Sequence, residues 1–399
     1  MDFLTSRINR IQPSITLEMT AKAADLRRVG KPVYNMSVGE PDFPTPQNIQ
    51  RAGIFAIENG YTKYTAGSGT LELKEAIQKK FQRDNRLDYS TDEIVVSCGG
   101  KHSLYNACQA LFQKGDEVII FSPYWVSFPD FVTVTGAKPI FVQTNKTKQY
   151  EPNFEELESK INSRTKGIII NSPSNPTGGV WSNEAILRLL DLCKNNNNIW
   201  IFSDECYEQL TYDKPFESIA SFDPENDRIL TFQSCSKTYA MTGWRIGYIG
   251  GNKNVVKAVA KLQGQSTSCP NSIAQYAAIE ALTGDQSCII KMRNNFLIRR
   301  DLIISLVQNI PNSICAIPNG AFYIFVDFSY YLNTKDNEGN RIKNSVDLCT
   351  YILETTGVVT VPGDSFGCPG HIRFSYATSE DIIKEALQLV KRTLLNLTF

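Results

Sequence analysis

One lysine in this sequence follows a strand-like run and lies among groups that could bind a phosphate. Residues 228–232 form the apolar run; Ser234, Ser236 and Lys237 come directly after it, and Arg245 follows eight residues later. A lysine at the end of a buried strand is poorly solvated, which favours its neutral, nucleophilic amine. Hydroxyls and a guanidinium would hold a phosphate beside that amine. The combination suits a lysine in Schiff-base linkage with pyridoxal phosphate; the alternative is a structural strand end with one long side chain reaching solvent.

The composition excludes several classes of protein. The 399 residues include 41 Lys+Arg and 41 Asp+Glu, so no basic field exists to recruit nucleic acid or an anionic membrane. No apolar stretch is long enough to span a bilayer, and the first residues lack the pattern of a secretory signal. The ten cysteines are scattered without a C-x-x-C pair, which predicts reduced thiols in a cytoplasmic protein. With only two histidines, no histidine-based metal site is expected.

The elements that must position the lysine show a regular alternation from residue 93 onward. Apolar, β-branched runs alternate with helical segments, and runs that are apolar on both faces are typical of a largely parallel sheet covered by helices. We therefore predict an α/β fold with a mostly parallel, seven-stranded sheet and helices on both faces. The seven runs are 93–96, 117–121, 139–142, 167–170, 199–202, 228–232 and 246–249.

The last third of the chain has its own pattern, which predicts a smaller α+β domain. A long helix is expected over residues 286–310, strands over 321–328 and 371–376, and a helix from about Glu380. We predict an N-terminal segment over residues 1–45 that packs with this small domain, a large cofactor-binding domain over 46–285, and the small domain over 286–399.

The residues that follow the predicted strands supply complementary groups. In open α/β sheets, ligands bind outside the carboxyl ends of the strands, so these residues should lie close together. They provide glycines, an aromatic ring, an amide, a carboxylate with a tyrosine, and the lysine. The segments are Gly99-Gly100-Lys101, Pro123-Tyr124-Trp125, Asn171 with Asn175-Pro176-Thr177-Gly178, Asp204-Glu205-Cys206-Tyr207, and Ser234-Cys235-Ser236-Lys237.

These segments belong to a longer set of motifs by which the sequence resembles the class I pyridoxal-phosphate-dependent aminotransferases of fold type I. The similarity runs from about Pro13 to the C-terminus and is greatest to the bacterial-type aspartate aminotransferase branch, which includes prephenate and aromatic-acid aminotransferases. The motifs, in order, are Pro13-Ser14-Ile15-Thr16, Gly39-Glu40-Pro41-Asp42-Phe43, Lys63-Tyr64-Thr65, Ser122-Pro123-Tyr124-Trp125-Val126, Asn171-Ser172-Pro173-Ser174-Asn175-Pro176-Thr177-Gly178, Ser203-Asp204-Glu205, Met241-Thr242-Gly243-Trp244-Arg245-Ile246-Gly247-Tyr248 and Arg373-Phe374-Ser375-Tyr376-Ala377.

The resemblance implies catalytic roles for residues around the cofactor. Lys237 would bind pyridoxal 5′-phosphate covalently and then move the substrate α-proton as general base and acid. Asp204 would keep the pyridine nitrogen protonated, which makes the ring an electron sink. Tyr207 and Asn175 would hydrogen-bond the phenolate oxygen, and Trp125 would stack on the ring.

The resemblance also implies a cradle for the cofactor phosphate. Backbone N–H groups at a helix start would meet the dianion, together with hydroxyls and a guanidinium. Tyr64 would reach the phosphate of the neighbouring subunit, which implies a homodimer. The other cradle residues are Gly99, Gly100, Lys101, Ser234, Ser236 and Arg245.

Substrate binding is implied for a further set of positions. Arg373 would clamp the substrate α-carboxylate, and the backbone at Gly39 would approach the same group. Lys101 occupies the position linked with the distal carboxylate of an acidic substrate. Thr16 lies in the N-terminal segment that would close over the substrate, and Trp125 and Asn175 would also contact the substrate. Several relatives have a lysine at the position of Gln12, and this difference leaves prephenate or aromatic substrates open.

The function expected from the resemblance is a cytoplasmic, homodimeric aminotransferase acting on aspartate and 2-oxoglutarate. A prephenate or aromatic aminotransferase is the first alternative. A serine acyltransferase is the second, because Ser234 and Lys237 form an S-x-x-K pattern, although the sequence lacks K-T-G. A non-catalytic cofactor-binding regulator is the third; we expect no DNA-binding domain before Pro13 to support it.

Overall fold

A central sheet of eight strands organises the chain in the computed structural model, which describes residues 3–11, 15–28, 30–196 and 198–399. The strands in chain order are β1 (Tyr34–Asn35), β2 (Ile94–Ser97), β3 (Glu117–Ser122), β4 (Lys138–Asn145), β5 (Glu151–Pro152), β6 (Thr165–Asn171), β7 (Trp200–Asp204), β8 (Ile229–Ser234), β9 (Gly247–Gly250), β10 (Ile314–Cys315), β11 (Tyr323–Asp327), β12 (Val358–Val359), β13 (Val361–Pro362) and β14 (His371–Ser375).

The α-helices surround the sheets and follow the predicted alternation. They are α1 (Ser6–Asn9), α2 (Ile15–Arg28), α3 (Gln47–Glu58), α4 (Leu71–Lys80), α5 (Gly100–Leu111), α6 (Phe128–Thr133), α7 (Phe154–Lys160), α8 (Asn183–Lys194), α9 (Cys235–Thr238), α10 (Lys253–Gly264), α11 (Ser272–Thr283), α12 (Ser287–Gln308), α13 (Ser345–Thr356) and α14 (Glu380–Leu395). None of the helices in the described ranges is long and apolar enough to cross a membrane.

The central sheet has the strand order β2-β9-β8-β7-β6-β3-β4-β5. Strands β8, β7, β6, β3 and β4 pair in parallel, whereas β9 runs antiparallel to both of its neighbours. The predicted mostly parallel α/β fold is confirmed. Seven strands correspond to the seven predicted runs; the eighth, β5, is a two-residue antiparallel edge strand, too short to show as an apolar run.

The apolar runs form strands because both faces of the sheet are covered. All six residues of β3 are buried. Successive side chains of a strand point to opposite faces, and those of β3 divide accordingly: Ile119 and Phe121 join one buried cluster, whereas Val118 and Ile120 join another. The carboxyl ends of β3, β6, β7 and β8 therefore meet at one edge of a rigid, two-sided core.

A second sheet, with the order β10-β11-β14-β13, packs with the last helices around its own apolar cluster. The predicted long helix corresponds to α12, the predicted strands to β11 and β14, and the C-terminal helix to α14. The N-terminal strand β1 pairs in parallel with β12 and so contacts this part of the molecule. The domain boundaries at residues 45 and 285 remain a prediction.

Candidate active site

Lys237 lies in the short helix α9, which begins where β8 ends. Its Nζ donates a hydrogen bond to the carbonyl oxygen of Gly39 and lies 6.0 Å from the centroid of the Tyr207 ring. Burial lowers the pKa of Lys237, and the positive charges of Arg373 and Arg245 act in the same direction. Cys206 and Glu40 act in the opposite direction, and the net effect makes the neutral, nucleophilic amine more accessible than it is in water.

Asp204 ends β7, which pairs with β8, the strand that leads into α9 and Lys237. The residue is 5% exposed, and its burial raises the pKa of the carboxyl to about 6, against the opposing effects of Cys206 and Lys237. Its Oδ1 accepts a hydrogen bond from the backbone N–H of Cys206 at 3.3 Å. The carboxylate can therefore stabilise a cationic ring nitrogen in a site with little water.

Arg373, on β14, is a buried guanidinium with no carboxylate partner among the described residues. It is 5% exposed; its Nη1 donates to Oδ1 of Asn175 at 2.8 Å and its Nη2 to the carbonyl oxygen of Ser37 at 2.7 Å. Its Nε is buried without a partner in the described structure. Burial lowers the pKa of Arg373, since an uncompensated buried charge is costly. The arrangement favours binding of an anion here.

Tyr207 lies near Lys237 and contacts Tyr323, whose ring lies against Arg373. Its hydroxyl is 2.9 Å from the hydroxyl of Tyr323, and the residue is 3% exposed. Burial raises the pKa of Tyr207 well above its usual value. The phenol therefore stays protonated and can donate a hydrogen bond.

Arg245 and Ser234 lie against the two glycines at the N-terminus of α5. Gly99 has a φ of +90°, and a Cβ at this position would lie 2.3 Å from Nη2 of Arg245. A Cβ on Gly100 would lie 3.5 Å from Cβ of Ser234. Ser234 and Ser236 are both buried. The missing side chains at the glycines thus allow backbone N–H groups, hydroxyls and a guanidinium to converge, an arrangement that fits a phosphate.

Lys101 and Trp125 form a wall beside the residues at the N-terminus of α5. Nζ of Lys101 lies 5.0 Å from the centroid of the Trp125 ring, a cation–π distance. Burial lowers the pKa of Lys101, and the charge of Arg245 acts in the same direction. The Trp125 ring packs edge-on against Phe128, with 5.4 Å between centroids. The wall offers a cation and an aromatic face to a ligand.

Two predicted residues are not brought into this group. Tyr64 is 89% exposed, and among the described residues no hydrogen bond joins its side chain to the site of its own chain. Thr16 belongs to α2, but its side chain lies outside the described structure, as do Gln12, Pro13 and Ser14. Their predicted roles stay predictions.

The sequence reading missed three residues of the site. Tyr323 contacts Tyr207, Ser37 provides the carbonyl oxygen for Arg373, and Glu40 accepts a 2.6 Å hydrogen bond from Oγ1 of Thr242. Tyr323 could have been found by register, because β11 and β14 are antiparallel neighbours with Phe325 opposite Arg373. Alternation puts Tyr323 on the face that carries Arg373.

Comparison with known proteins gives a consistent result. The family model described as "Aminotransferase class I and II" matches residues 31–390. A protein of Rickettsia bellii (strain RML369-C), named "Probable aspartate/prephenate aminotransferase", is 43% identical over 394 residues, with 98% of this chain and 99% of the relative covered. An "Aspartate aminotransferase" of Rhizobium meliloti (strain 1021) is 43% identical over 387 residues, covering 96% of this chain and 94% of the relative.

Solved structures match over nearly the whole chain. The crystal structure of the aspartate aminotransferase of Rhizobium meliloti superposes with a TM-score of 0.95 at 42% identity and covers 99% of both chains. The aspartate aminotransferase of Thermus thermophilus with maleate superposes with a TM-score of 0.92 at 38% identity, covering 98% of this chain and 100% of that one.

Proposed function

Because this chain belongs to the aminotransferase class I and II family, we propose that it transfers the amino group of L-aspartate to 2-oxoglutarate, which produces oxaloacetate and L-glutamate. The protein is a transaminase, and relatives at 42% and 43% identity over 387 residues are named aspartate aminotransferase. One observation carries the proposal. A buried guanidinium without an acidic partner in the described structure, that of Arg373, lies near the half-buried amine of Lys237, as binding and deprotonation of an amino acid require.

The proposed cofactor is pyridoxal 5′-phosphate, and the residues present fit it. Lys237 would hold it covalently, Asp204 would face its ring nitrogen, and the cradle of Gly99, Gly100 and Arg245 would hold its phosphate. When bound, it supplies an aldehyde for the amine and a ring that accepts electrons from the substrate. Support comes from the close approach of Gly99 to the Arg245 guanidinium and from the buried hydroxyls beside them.

The chain's own residues account for binding and proton transfer. Arg373 binds the substrate α-carboxylate through its guanidinium, which Asn175 and Ser37 orient. The neutral amine of Lys237 takes the proton from the substrate α-carbon and later donates it as a general acid. When the amine is free, the carbonyl oxygen of Gly39 can accept its hydrogen bond and orient it.

The proposed aspartate specificity depends on Lys101. A dicarboxylic substrate needs a cation for its second carboxylate, and Lys101 lies beside the phosphate cradle with its ammonium over the Trp125 ring. The Thermus thermophilus relative was solved with maleate, a dicarboxylate. The same wall supports a second candidate function, prephenate amination, because prephenate also carries two carboxylates and a ring; relatives are named aspartate/prephenate aminotransferase.

We also propose a homodimer in the cytoplasm, with Tyr64 donating to the phosphate in the partner's site. Support for the dimer comes from Tyr64 itself, which is 89% exposed, and from a cluster of exposed apolar side chains in the adjoining sequence. These are Ile54, Phe55, Ile57, Tyr61 and Leu71. Support for the cytoplasm comes from ten cysteines that are all free.

A substrate panel on the purified protein tests the proposed reaction. Initial rates with aspartate, glutamate, prephenate and phenylpyruvate in matched amino-group transfers give kcat/KM for each. The proposal requires the highest kcat/KM for aspartate with 2-oxoglutarate; a higher value for prephenate would establish the second candidate instead. Sedimentation of the same sample tests the dimer, and a monomer under assay conditions would contradict it.

A further inference from the structure

Tyr323 contacts both Tyr207 and Arg373. The proposed function assigns Tyr207 to the cofactor and Arg373 to the substrate carboxylate. Tyr323 lies on β11 and has no exposed surface. Its hydroxyl is 2.9 Å from the hydroxyl of Tyr207, which lies 116 residues earlier in the chain. The two rings meet nearly at right angles, at 81°, with centroids 5.8 Å apart. The hydroxyl pair is therefore held where the segment after β7 packs against β11, in one apolar cluster.

The ring of Tyr323 also supports the guanidinium of Arg373. The guanidinium carbon lies 4.5 Å from the Tyr323 ring centroid and 5.2 Å from that of Phe366. Aromatic faces stabilise a desolvated guanidinium and define its plane. A carboxylate that binds both Nη atoms must lie in that plane. The ring thus restricts how an amino acid can approach.

We propose that Tyr323 is a positioning residue that joins the carboxylate-binding arginine to the tyrosine beside the lysine. Its ring sets the plane of Arg373, and its hydroxyl sets the direction in which the Tyr207 hydroxyl points. The inference deepens the proposed function and rests on it. Nothing in the reaction requires Tyr323 to touch the substrate.

The direction of the hydrogen bond between the two protonated phenols depends on where Tyr207 donates its own proton. Burial raises the pKa of Tyr323 to about 12 and that of Tyr207 well above its usual value, so each hydroxyl keeps its proton. If Tyr207 donates to the phenolic oxygen of the cofactor, it can only accept from Tyr323. The titratable groups that face Tyr323 are Tyr207, Arg373, Cys206 and Glu40, and among these Tyr207 is its hydrogen-bond partner.

Donation from Tyr323 strengthens Tyr207 as a donor in turn, because linked hydrogen bonds polarise one another. A donor to an anionic phenolic oxygen stabilises the deprotonated form of the chromophore and lowers its pKa. Removal of the Tyr323 hydroxyl should therefore raise that pKa. Removal of the ring should in addition weaken binding of the substrate carboxylate.

Three variants separate these effects. In the holoenzyme, Tyr323→Phe should shift the pH titration of visible absorbance upward by about 0.5 to 1 pH unit, with KM for aspartate and glutamate within about twofold of wild type. Tyr323→Leu should show the same shift and raise both KM values about tenfold. In a Tyr207→Phe background, Tyr323→Phe should cause no further shift.

Tyr331→Phe provides the matched control, because Tyr331 is also buried and loses a hydrogen bond, to the carbonyl oxygen of Pro311 at 2.6 Å. It should lower thermal stability without moving the absorbance titration. The inference is overturned if Tyr323→Phe leaves the absorbance titration unmoved, as this control does. It is also overturned if the titration shift of the double variant equals the sum of the shifts of Tyr207→Phe and Tyr323→Phe. A wild-type protein that neither binds pyridoxal phosphate nor transaminates would overturn the proposed function itself. If the wild-type protein is active but the absorbance titration of Tyr323→Phe matches that of wild type, only the inference is overturned.

Discussion

Nη1 of Arg373 donates a 2.8 Å hydrogen bond to Oδ1 of Asn175, and this bond joins positions 198 residues apart in the chain. Asn175 follows a strand of the central sheet, whereas Arg373 belongs to the second sheet. The bond therefore fixes the guanidinium of Arg373, on one sheet, against the edge of the other sheet that leads to Lys237. Formation of the site depends on the packing of the two sheets.

Truncation of Arg373 should weaken binding of every amino acid substrate. Arg373→Ala leaves a substrate carboxylate without its charged partner in a buried site, a loss of about 2–5 kcal/mol, or roughly 30-fold or more in KM. KM for aspartate, glutamate and phenylalanine should rise by similar factors. Arg188→Ala, at a guanidinium 53% exposed on α8, is the control and should leave KM unchanged. Unequal losses across the three substrates would argue against recognition of the shared α-carboxylate.

Replacement of Lys101 should change specificity, whereas replacement of Arg373 should not. Lys101→Ala removes the cation proposed for the distal carboxylate, and a hydrogen bond to a charged group contributes about 1.5–3 kcal/mol. We expect kcat/KM for aspartate to fall roughly tenfold to 100-fold, with phenylalanine changed little. Lys257→Ala, an exposed lysine on α10, serves as the control. Equal losses for aspartate and phenylalanine would contradict a distal-carboxylate role.

The sequence predicted those parts of the site that lie at strand ends. Lys237, Asp204 and the glycines before α5 each follow an apolar run, and their positions follow from the topology of a parallel sheet. Tyr323 and Ser37 escaped prediction because their contacts join segments far apart in the chain: Tyr323 meets Tyr207, and Ser37 meets Arg373. Such contacts depend on how these segments pack against each other, and no local pattern in the sequence encodes that packing.

A methyl group at Gly99 should weaken cofactor binding. In Gly99→Ala, the Cβ would lie 2.3 Å from Nη2 of Arg245, and the φ of +90° disfavours any side chain. We expect the dissociation constant for pyridoxal phosphate, measured by titration of the cofactor-free protein, to rise at least about tenfold. Gly243→Ala is a matched control, since its Cβ would meet nothing within 4 Å. Equal dissociation constants for the two variants would rule out the proposed cradle.

Asp204→Asn should abolish transamination and yet stabilise the cofactor-free protein. Burial raises the folded-state pKa of Asp204 from 3.8 to about 6, so the unfolded chain loses this proton first as pH rises. The carboxylate therefore reduces stability progressively between about pH 4 and pH 6 and by about 3 kcal/mol above that range. Urea unfolding should show Asp204→Asn more stable by this amount at pH 8 and by about half of it at pH 5.

Asp88→Asn provides the comparison for this measurement. Asp88 is exposed and accepts a 2.7 Å hydrogen bond from Nε2 of Gln82, which an asparagine oxygen can also accept. Its substitution should change the free energy of unfolding little at either pH. A destabilised Asp204→Asn protein at pH 8 would mean that the carboxylate is stabilised within the fold by a group other than the cofactor.

The covalent attachment of the cofactor tests the account most directly. The purified protein, incubated with pyridoxal 5′-phosphate and reduced with borohydride, should carry one adduct, and peptide mass mapping should place it on Lys237. Lys237→Ala should show neither the adduct nor transamination. An adduct on a different lysine in the wild-type protein, or full activity in Lys237→Ala, would contradict the assignment of this amine and the function built on it.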